Sequence, residues 1–253
     1  MERITSRTNP LCTHIRKLAS SPSYRRSCGE FLCDSPKLLT EALLWKGKLK
    51  TVVCTEGTIL PALPSGVRAV EVPGEVMKSI SPAETPQGVL AICAMEMPVF
   101  PEILPGKRYV VLDGVQDPGN VGTILRTAAA FCANGVFLVN ACADLYNPKT
   151  VRATMGAVFR CPVWTCGAAE LRRLLTDSGL PLYGAALRED TADARSVDYS
   201  RCAIAIGSEG RGLSEELLGL CDQTILIPMS SHCESLNAAI AASVLLWEAH
   251  RND

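Results

Sequence analysis

The stretch that decides the fold runs from Tyr109 to Val139 and reads Y-V-V-L-D-G-V-Q-D-P-G-N-V-G-T-I-L-R-T-A-A-A-F-C-A-N-G-V-F-L-V. It opens on an apolar run, Tyr109 to Leu112, that fits a buried strand and stops at Asp113-Gly114. The turn Asp117-Pro118-Gly119-Asn120 follows. Val121, Ile124, Leu125, Ala128, Ala129 and Cys132 then repeat at helical spacing. Asn134-Gly135 is read as the stop of that helix, and Val136 to Val139 as the next strand. Strand, crossover helix and strand in succession predict a parallel pair. Downstream, Leu182 to Leu187, Ala203 to Ile206 and Thr224 to Ile227 read as further strands, and Leu236 to His250 as a closing helix. Short, almost wholly apolar strands between amphipathic helices predict an α/β domain with a mainly parallel sheet covered on both faces.

Upstream, Pro98 to Gly106 holds four Pro/Gly residues and no period, the composition of a linker. It predicts two domains, residues 1–100 and 101–253. In the first, Pro36 to Trp45 has helical spacing, and Leu49 to Cys54, Val67 to Val72 and Val89 to Cys93 read as strands, giving a small α/β unit.

The chain of 253 residues is 47% hydrophobic and 20% charged, an ordinary globular composition rather than a disordered one. Its longest apolar run, Ala238 to Trp247, is too short to span a bilayer, and no apolar h-region follows Met1, so neither membrane anchoring nor a secretory signal is expected. Twelve cysteines are scattered without a C-x-x-C pair, and there are three histidines. This argues against a metal site and for reduced, buried thiols in a cytoplasmic protein. The net charge of −1 hides an asymmetry. Residues 1–50 carry ten Lys/Arg against four acids, so the remaining 203 residues sum to −7. A basic N-terminal portion suits either a phosphate-binding face or a solvated surface. Tyr24, Arg25 and Arg26 are candidates there to stack on and clamp RNA, or are simply a surface helix end.

Ligands in open α/β sheets bind beyond the carboxyl ends of strands. Three such ends are polar and glycine-rich: Asp113 to Gly122 with Arg126 behind it, Gly207-Ser208-Glu209-Gly210-Arg211-Gly212, and Pro228 to Asn237. Each has a bland reading. Gly210 and Gly212 suit positive φ, Ser235 suits an N-cap, and Arg126 suits an exposed helix position. Three in one sheet favour a site. G-S-E-G-R-G is neither dinucleotide fingerprint nor P-loop, and Glu209 would repel a pyrophosphate. A ligand without phosphate, with apolar, hydrogen-bonding and cationic parts, suits it better, and the Ile227-Pro228-Met229 edge suits a flat base.

At these residues the chain resembles the SpoU (TrmH-type) branch of the SPOUT RNA methyltransferases. The motifs are N-x-G-x-x-x-R at Asn120 to Arg126, G-x-E-G-x-G-L at Gly207 to Leu213, and I-P-M…S-L-N at Ile227 to Met229 and Ser235 to Asn237. Leu145 to Ala157 resembles the family's intervening region, and residues 1–97 resemble, more weakly, a small ribosomal-protein-like RNA-binding module. The resemblance implies a SPOUT domain with a C-terminal trefoil knot, a homodimer with its pocket near the dimer interface, and S-adenosyl-L-methionine as cofactor. It implies methyl transfer to a ribose 2′-OH of RNA, ribosomal RNA ahead of transfer RNA. Carried over residue by residue, Gly207, Ile227 and Leu236 bind the cofactor through main-chain groups, with Glu209, Gly210, Pro228 and Met229 lining the pocket. Arg126, Asn120, Glu209, Ser235 and Asn237 are the catalytic candidates.

The family's proposal of an arginine base conflicts with a guanidinium that stays protonated above pH ~12. A clamp on the adjacent RNA phosphate suits Arg126 better. Cys233 and His232 are a less favoured nucleophile and base, since 2′-O transfer requires no covalent intermediate. Two other classes stay open: a non-catalytic RNA-binding or ribosome-assembly factor, separated by a methyl-transfer assay, and a nucleotide-dependent enzyme, separated by ligand calorimetry.

Overall fold

The computed structural model describes every residue of the chain except Met97, Glu189, Ser231, Cys233, Glu234, Asn252 and Asp253. The chain forms two compact units, Met1–Glu96 with Asp144–Arg160, and Met97–Ala143 with Cys161–Asp253.

The first unit contains β1 (Glu2–Arg3), α1 (Pro10–Ser20), α2 (Pro22–Cys28), β2 (Glu30–Cys33), α3 (Pro36–Leu44), β3 (Leu49–Thr55), β4 (Arg68–Val72), α4 (Gly74–Ile80) and β5 (Val89–Ala94). The strands form one mixed sheet in the order β1-β4-β3-β5-β2, with β5 antiparallel to both neighbours. Alternate residues serve two cores. Val53, Leu90 and Leu32 meet Ile15 and Leu18 of α1 and Met77 and Ile80 of α4 on one face. Val52, Ala91 and Phe31 meet Leu38 and Leu39 of α3 on the other.

The second unit begins with β6 (Arg108–Asp113), α5 (Pro118–Ala130) and β7 (Gly135–Val139). The chain then supplies α6 (Pro148–Thr154) to the first unit. It returns as β8 (Val163–Thr165), α7 (Ala168–Asp177), β9 (Leu182–Ala185), β10 (Ala192–Asp193), β11 (Cys202–Gly207), α8 (Glu215–Leu218), β12 (Gln223–Leu226) and α9 (Ala238–His250). The seven strands are all parallel, in the order β10-β12-β9-β11-β6-β7-β8. Every residue of β6 and β7 is buried, which is why Tyr109 to Leu112 and Val136 to Val139 within them read as unbroken apolar runs. Leu171, Leu174 and Leu175 of α7 cover one part of the sheet together with Tyr109, Phe137 and Ala205. Helix α5 lies against α9, where Thr127 Oγ1 and Ser243 Oγ are 3.3 Å apart.

Several expectations shift. Asp117 is the N-cap of α5, its side chain accepting from Asn120 N at 2.9 Å, so Pro118 to Asn120 form the first helical turn rather than a separate one. The helix ends at Ala130, ahead of Asn134-Gly135; Cys132 has φ +56° and is outside it. Residues 98–106 hold no helix or strand but are not a free spacer. Leu104 is 1% exposed within the second unit's core, and its N–H donates to Ser178 Oγ at 2.9 Å. Helix α9 starts at Ala238, with Asn237 as its N-cap, not Ser235.

The segment Asp144–Arg160, read in sequence as part of 101–253, completes the first unit. Its Val151 is fully buried against Phe31, Leu38 and Leu39. Arg25 is 1% exposed, and its Nη2 donates to Asp144 Oδ2 at 2.6 Å while its Nη1 donates to Leu18 O at 2.7 Å. Arg152 bonds Asp34, and Arg160 pairs with Glu41 at 2.5 Å. The Arg160 and Lys37 charges hold the Glu41 carboxyl below its ordinary range, the Lys37 hydrogen bond being the larger cause. Arg25 is therefore a structural residue and has no part in clamping RNA. Asp144→Ala would leave its guanidinium buried without a carboxylate, and chemical denaturation is expected to show a loss of about 3 kcal/mol. A loss under about 0.5 kcal/mol, the range of a surface substitution, would show that the pair does not hold the segment.

Candidate active site

Parallel strands put all their carboxyl ends at one edge of the sheet. At that edge β12, β9 and β11 lie side by side, and their ends open into a cavity of about 530 Å³. Its walls come from Ala185, Ala186 and Leu187 at the end of β9 and just past it, Ile206 to Glu209 at the end of β11 and past it, and Ile225 to Ile227 with Met229 at the end of β12 and past it. Ser230, Ser235, Leu236 and the start of α9 close it.

The loop after β11 is shaped by its backbone. Ser208 N donates to Gly212 O at 3.0 Å and Gly212 N to Ser208 O at 2.8 Å, a tight return with Gly212 at φ +67°. A Cβ on Gly207 would fall 2.0–2.2 Å from backbone atoms of Gly212 and Leu213, so no other residue fits there. Gly210 is open on all sides, has no positive φ, and sits at the exposed loop tip. The far end of the loop is anchored by buried Leu213 and by Asp113, which is 2% exposed. Asp113 accepts from Ser214 N at 2.6 Å and from Asn140 Nδ2 at 2.9 Å, tying the ends of β6, β7 and β11 together.

Three residues distant in sequence meet at the rim. Asn120 Nδ2 donates to Glu209 Oε1, and Asn237 Nδ2 donates to Asn120 Oδ1 at 3.1 Å. Asn237 Oδ1 in turn accepts from Ala239 N at 2.9 Å and Ile240 N at 3.3 Å. The helix cap fixes which way the Asn237 amide points, that fixes Asn120, and Asn120 leaves its N–H to the Glu209 carboxylate. Of the expected site residues, Gly207, Glu209, Ile227, Met229, Ser235 and Leu236 line the cavity. Asn120 and Asn237 join it through Glu209, and Gly210 and Pro228 sit in its loops beside lining residues. Arg126 is not among the lining residues. It is exposed on α5 and makes no hydrogen bond or ion pair among the described residues. Of the alternative pair, Cys233 lies outside the described residues, and His232 is exposed. The sequence did not point to Ala185 to Leu187, because β9 ends without a glycine-rich turn; its place between β11 and β12 was the missing signal.

Among the described lining residues Glu209 is the one charged side chain; the others are aliphatic, glycine, serine or, at Met229, a thioether. That chemistry fits a ligand with a flat apolar part and a cationic centre, and disfavours a phosphate-bearing one. Cys221, whose sulfur lies 2.7 Å from where a Gly184 Cβ would be, is pushed up to about 11 by burial and stays a neutral thiol. Among the described residues no three His, Cys, Asp or Glu side chains are grouped to hold a metal ion.

The profile of the SpoU rRNA Methylase family matches residues 107–247, which include the cavity and its rim. The chain belongs to the SpoU rRNA methylase family. A second profile, the MRM3-like substrate binding domain, matches residues 9–91. Among SpoU relatives, the 23S rRNA (guanosine(2553)-2'-O)-methyltransferase RlmP of Bacillus subtilis (strain 168) is 30% identical over 98% of both chains. The mitochondrial rRNA methyltransferase 3 of Homo sapiens is 29% identical over 94% of this chain and 71% of its own. The crystal structure of an AdoMet-bound rRNA methyltransferase from Sinorhizobium meliloti is similar with a TM-score of 0.88 and 32% identity, covering 99% of this chain and 98% of that one.

Two of the three glycines in this SpoU loop are expected to differ sharply. Gly207→Ala should lower stability by about 1–3 kcal/mol by forcing the Gly212–Leu213 return apart, whereas Gly210→Ala should stay within about 0.5 kcal/mol of the parent. Thermal or denaturant unfolding of the two variants checks this, and equal losses would contradict the close approach at Gly207.

Proposed function

We propose that this SpoU family member transfers a methyl group from S-adenosyl-L-methionine to a ribose 2′-OH of RNA, with ribosomal RNA as the substrate. One observation carries the reading: two loops and a helix start, spread from Gly207 to Ala241, close one apolar cavity whose single described charge is negative. The bound cofactor supplies a methyl already activated on a sulfonium. The protein must hold that carbon about 3–3.5 Å from the 2′-oxygen and favour loss of the hydroxyl proton.

In this reading, main-chain groups at Gly207, Ile227 and Leu236 take the polar edge of the adenine, with Pro228 and Met229 against its face. Glu209 and Gly210 bound the same pocket, and Ser235 and Asn237 flank the reacting atoms. Arg126 clamps the RNA phosphate next to the target ribose, lowering the hydroxyl pKa without acting as a base. Its exposure and lack of a partner among the described residues support that role. The first unit, matched over residues 9–91 by a substrate-binding profile, grips the RNA. A second copy of the chain completes the enzyme. In support, α9 is apolar from Ala238 to Trp247 except for Ser243 and leaves Ile240, Val244 and Trp247 at 53, 39 and 58% exposure, a dense apolar surface on one helix. The cytoplasm is the expected compartment, where RNA is met and free thiols persist. Among the described residues no helix is long and apolar enough to cross a membrane.

Incubation with labelled S-adenosylmethionine and unmodified ribosomal RNA should give label in an alkali-resistant dinucleotide, the mark of 2′-O-methylation. Arg126→Lys keeps a charge but loses the bidentate fork, and it should lower the rate at least tenfold with cofactor binding intact. Full activity in that variant would discard the clamp. RNA binding without transfer would discard the enzyme in favour of an assembly factor, and transfer to tRNA alone would move the substrate.

A further inference from the structure

The acid at the rim of the cavity has a consequence that methyl transfer makes specific. We propose that Glu209 makes the pocket discriminate by ligand charge, holding the cationic methyl donor more tightly than its neutral demethylated product and so promoting product release. This rests on the reading of the cavity as the S-adenosylmethionine site.

Glu209 is the one charged side chain among the described lining residues, and no cation among them offsets it. No described Lys or Arg forms an ion pair with it either. Its partner is the neutral amide of Asn120, which donates to Oε1 and leaves the full negative charge in place. Asn120 is itself fixed by Asn237, whose amide is fixed by the N-terminus of α9. The carboxylate is thus held at the mouth of a cavity whose other described lining residues are uncharged.

During transfer the carbon–sulfur bond breaks, a carbon–oxygen bond forms to the ribose oxygen, and the hydroxyl proton leaves to phosphate or solvent. The bonding pair stays on sulfur, which becomes a neutral thioether. The ligand in the pocket therefore loses one positive charge while Glu209 keeps its negative one. An attraction present before the reaction is absent after it, and that difference favours exchange of product for fresh donor. Because Glu209 is exposed, solvent and salt weaken the effect, and a several-fold rather than a thousand-fold preference is expected.

Asn120 enters as a positioning residue. Without its amide the carboxylate is free to turn into solvent, so the preference should shrink even though the charge remains. A merely structural role for Asn120 would weaken both ligands alike.

The test is titration calorimetry of the full-length chain with three probes: S-adenosylmethionine, S-adenosylhomocysteine, and a donor analogue carrying an amine in place of the sulfonium. The parent should bind both cations about fivefold more tightly than S-adenosylhomocysteine, and the ratio should fall as salt is raised. Glu209→Gln should bring the ratio to about one, mainly by weakening the cations. Glu209→Asp should restore part of it, and Asn120→Ala should leave an intermediate value. An unchanged ratio in Glu209→Gln would overturn the proposal. So would equal weakening of all three probes, which would mean the carboxylate holds a neutral part common to them. Failure of the parent to bind any of the three would instead overturn the reading of the cavity itself.

Discussion

At Gly207 the chain leaves a buried strand and almost touches itself. The space a side chain would fill there is occupied by the backbone of Gly212 and Leu213, 2.0–2.2 Å from an ideal Cβ. That approach lets the loop return within five residues, sinks Leu213 into the core, and leaves Glu209 at the cavity mouth. Asp113 secures the return from below through Ser214 N, and secures the end of β7 through Asn140. The remainder of the site is arranged around this corner. The walls from β9 and β12 are adjacent strands at the same edge, and α9 begins where the third loop comes back over the cavity.

The arrangement explains why the site is chemically spare. Strand ends rich in alanine, isoleucine and leucine give flat apolar walls. Among the described residues, polar recognition then falls to main-chain groups, a few serines and one carboxylate. Such a site suits a cofactor that brings its own activation, because the protein has only to position, exclude water and manage charge. The thiol of Cys202, at the amino end of β11, is pushed up to about 12 by burial and stays neutral.

The central strands β6, β7 and β11 of the second unit were legible because they are buried on both faces. Apolar runs such as Tyr109 to Leu112 and Ala203 to Ile206 have no competing polar period, and the observed strands match them within a residue or two. The two-residue strands β1 and β10 carry no pattern long enough to see. Helices α1, α2 and α6 went unread although each opens on a cap followed by proline, at Asn9-Pro10, Ser21-Pro22 and Asn147-Pro148. Contacts across long separations left no local trace. The Glu209–Asn120–Asn237 chain spans 89 and 117 residues, so the motifs named its members without showing that they bond to each other. Arg25 looked like a surface cation beside Arg26 because its carboxylate partner lies 119 residues away. The same distance hid the return of residues 144–160 to the first unit.

The central claim is that the ends of β9, β11 and β12 form one binding site for a folded sulfonium donor. A crystal grown with S-adenosylmethionine tests it most directly. The account predicts density enclosed by Gly207 to Glu209, Ile227 to Met229 and Ser235 to Leu236, with the sulfonium on the Glu209 side. Well-defined density elsewhere on the chain, with these turns untouched, would contradict it.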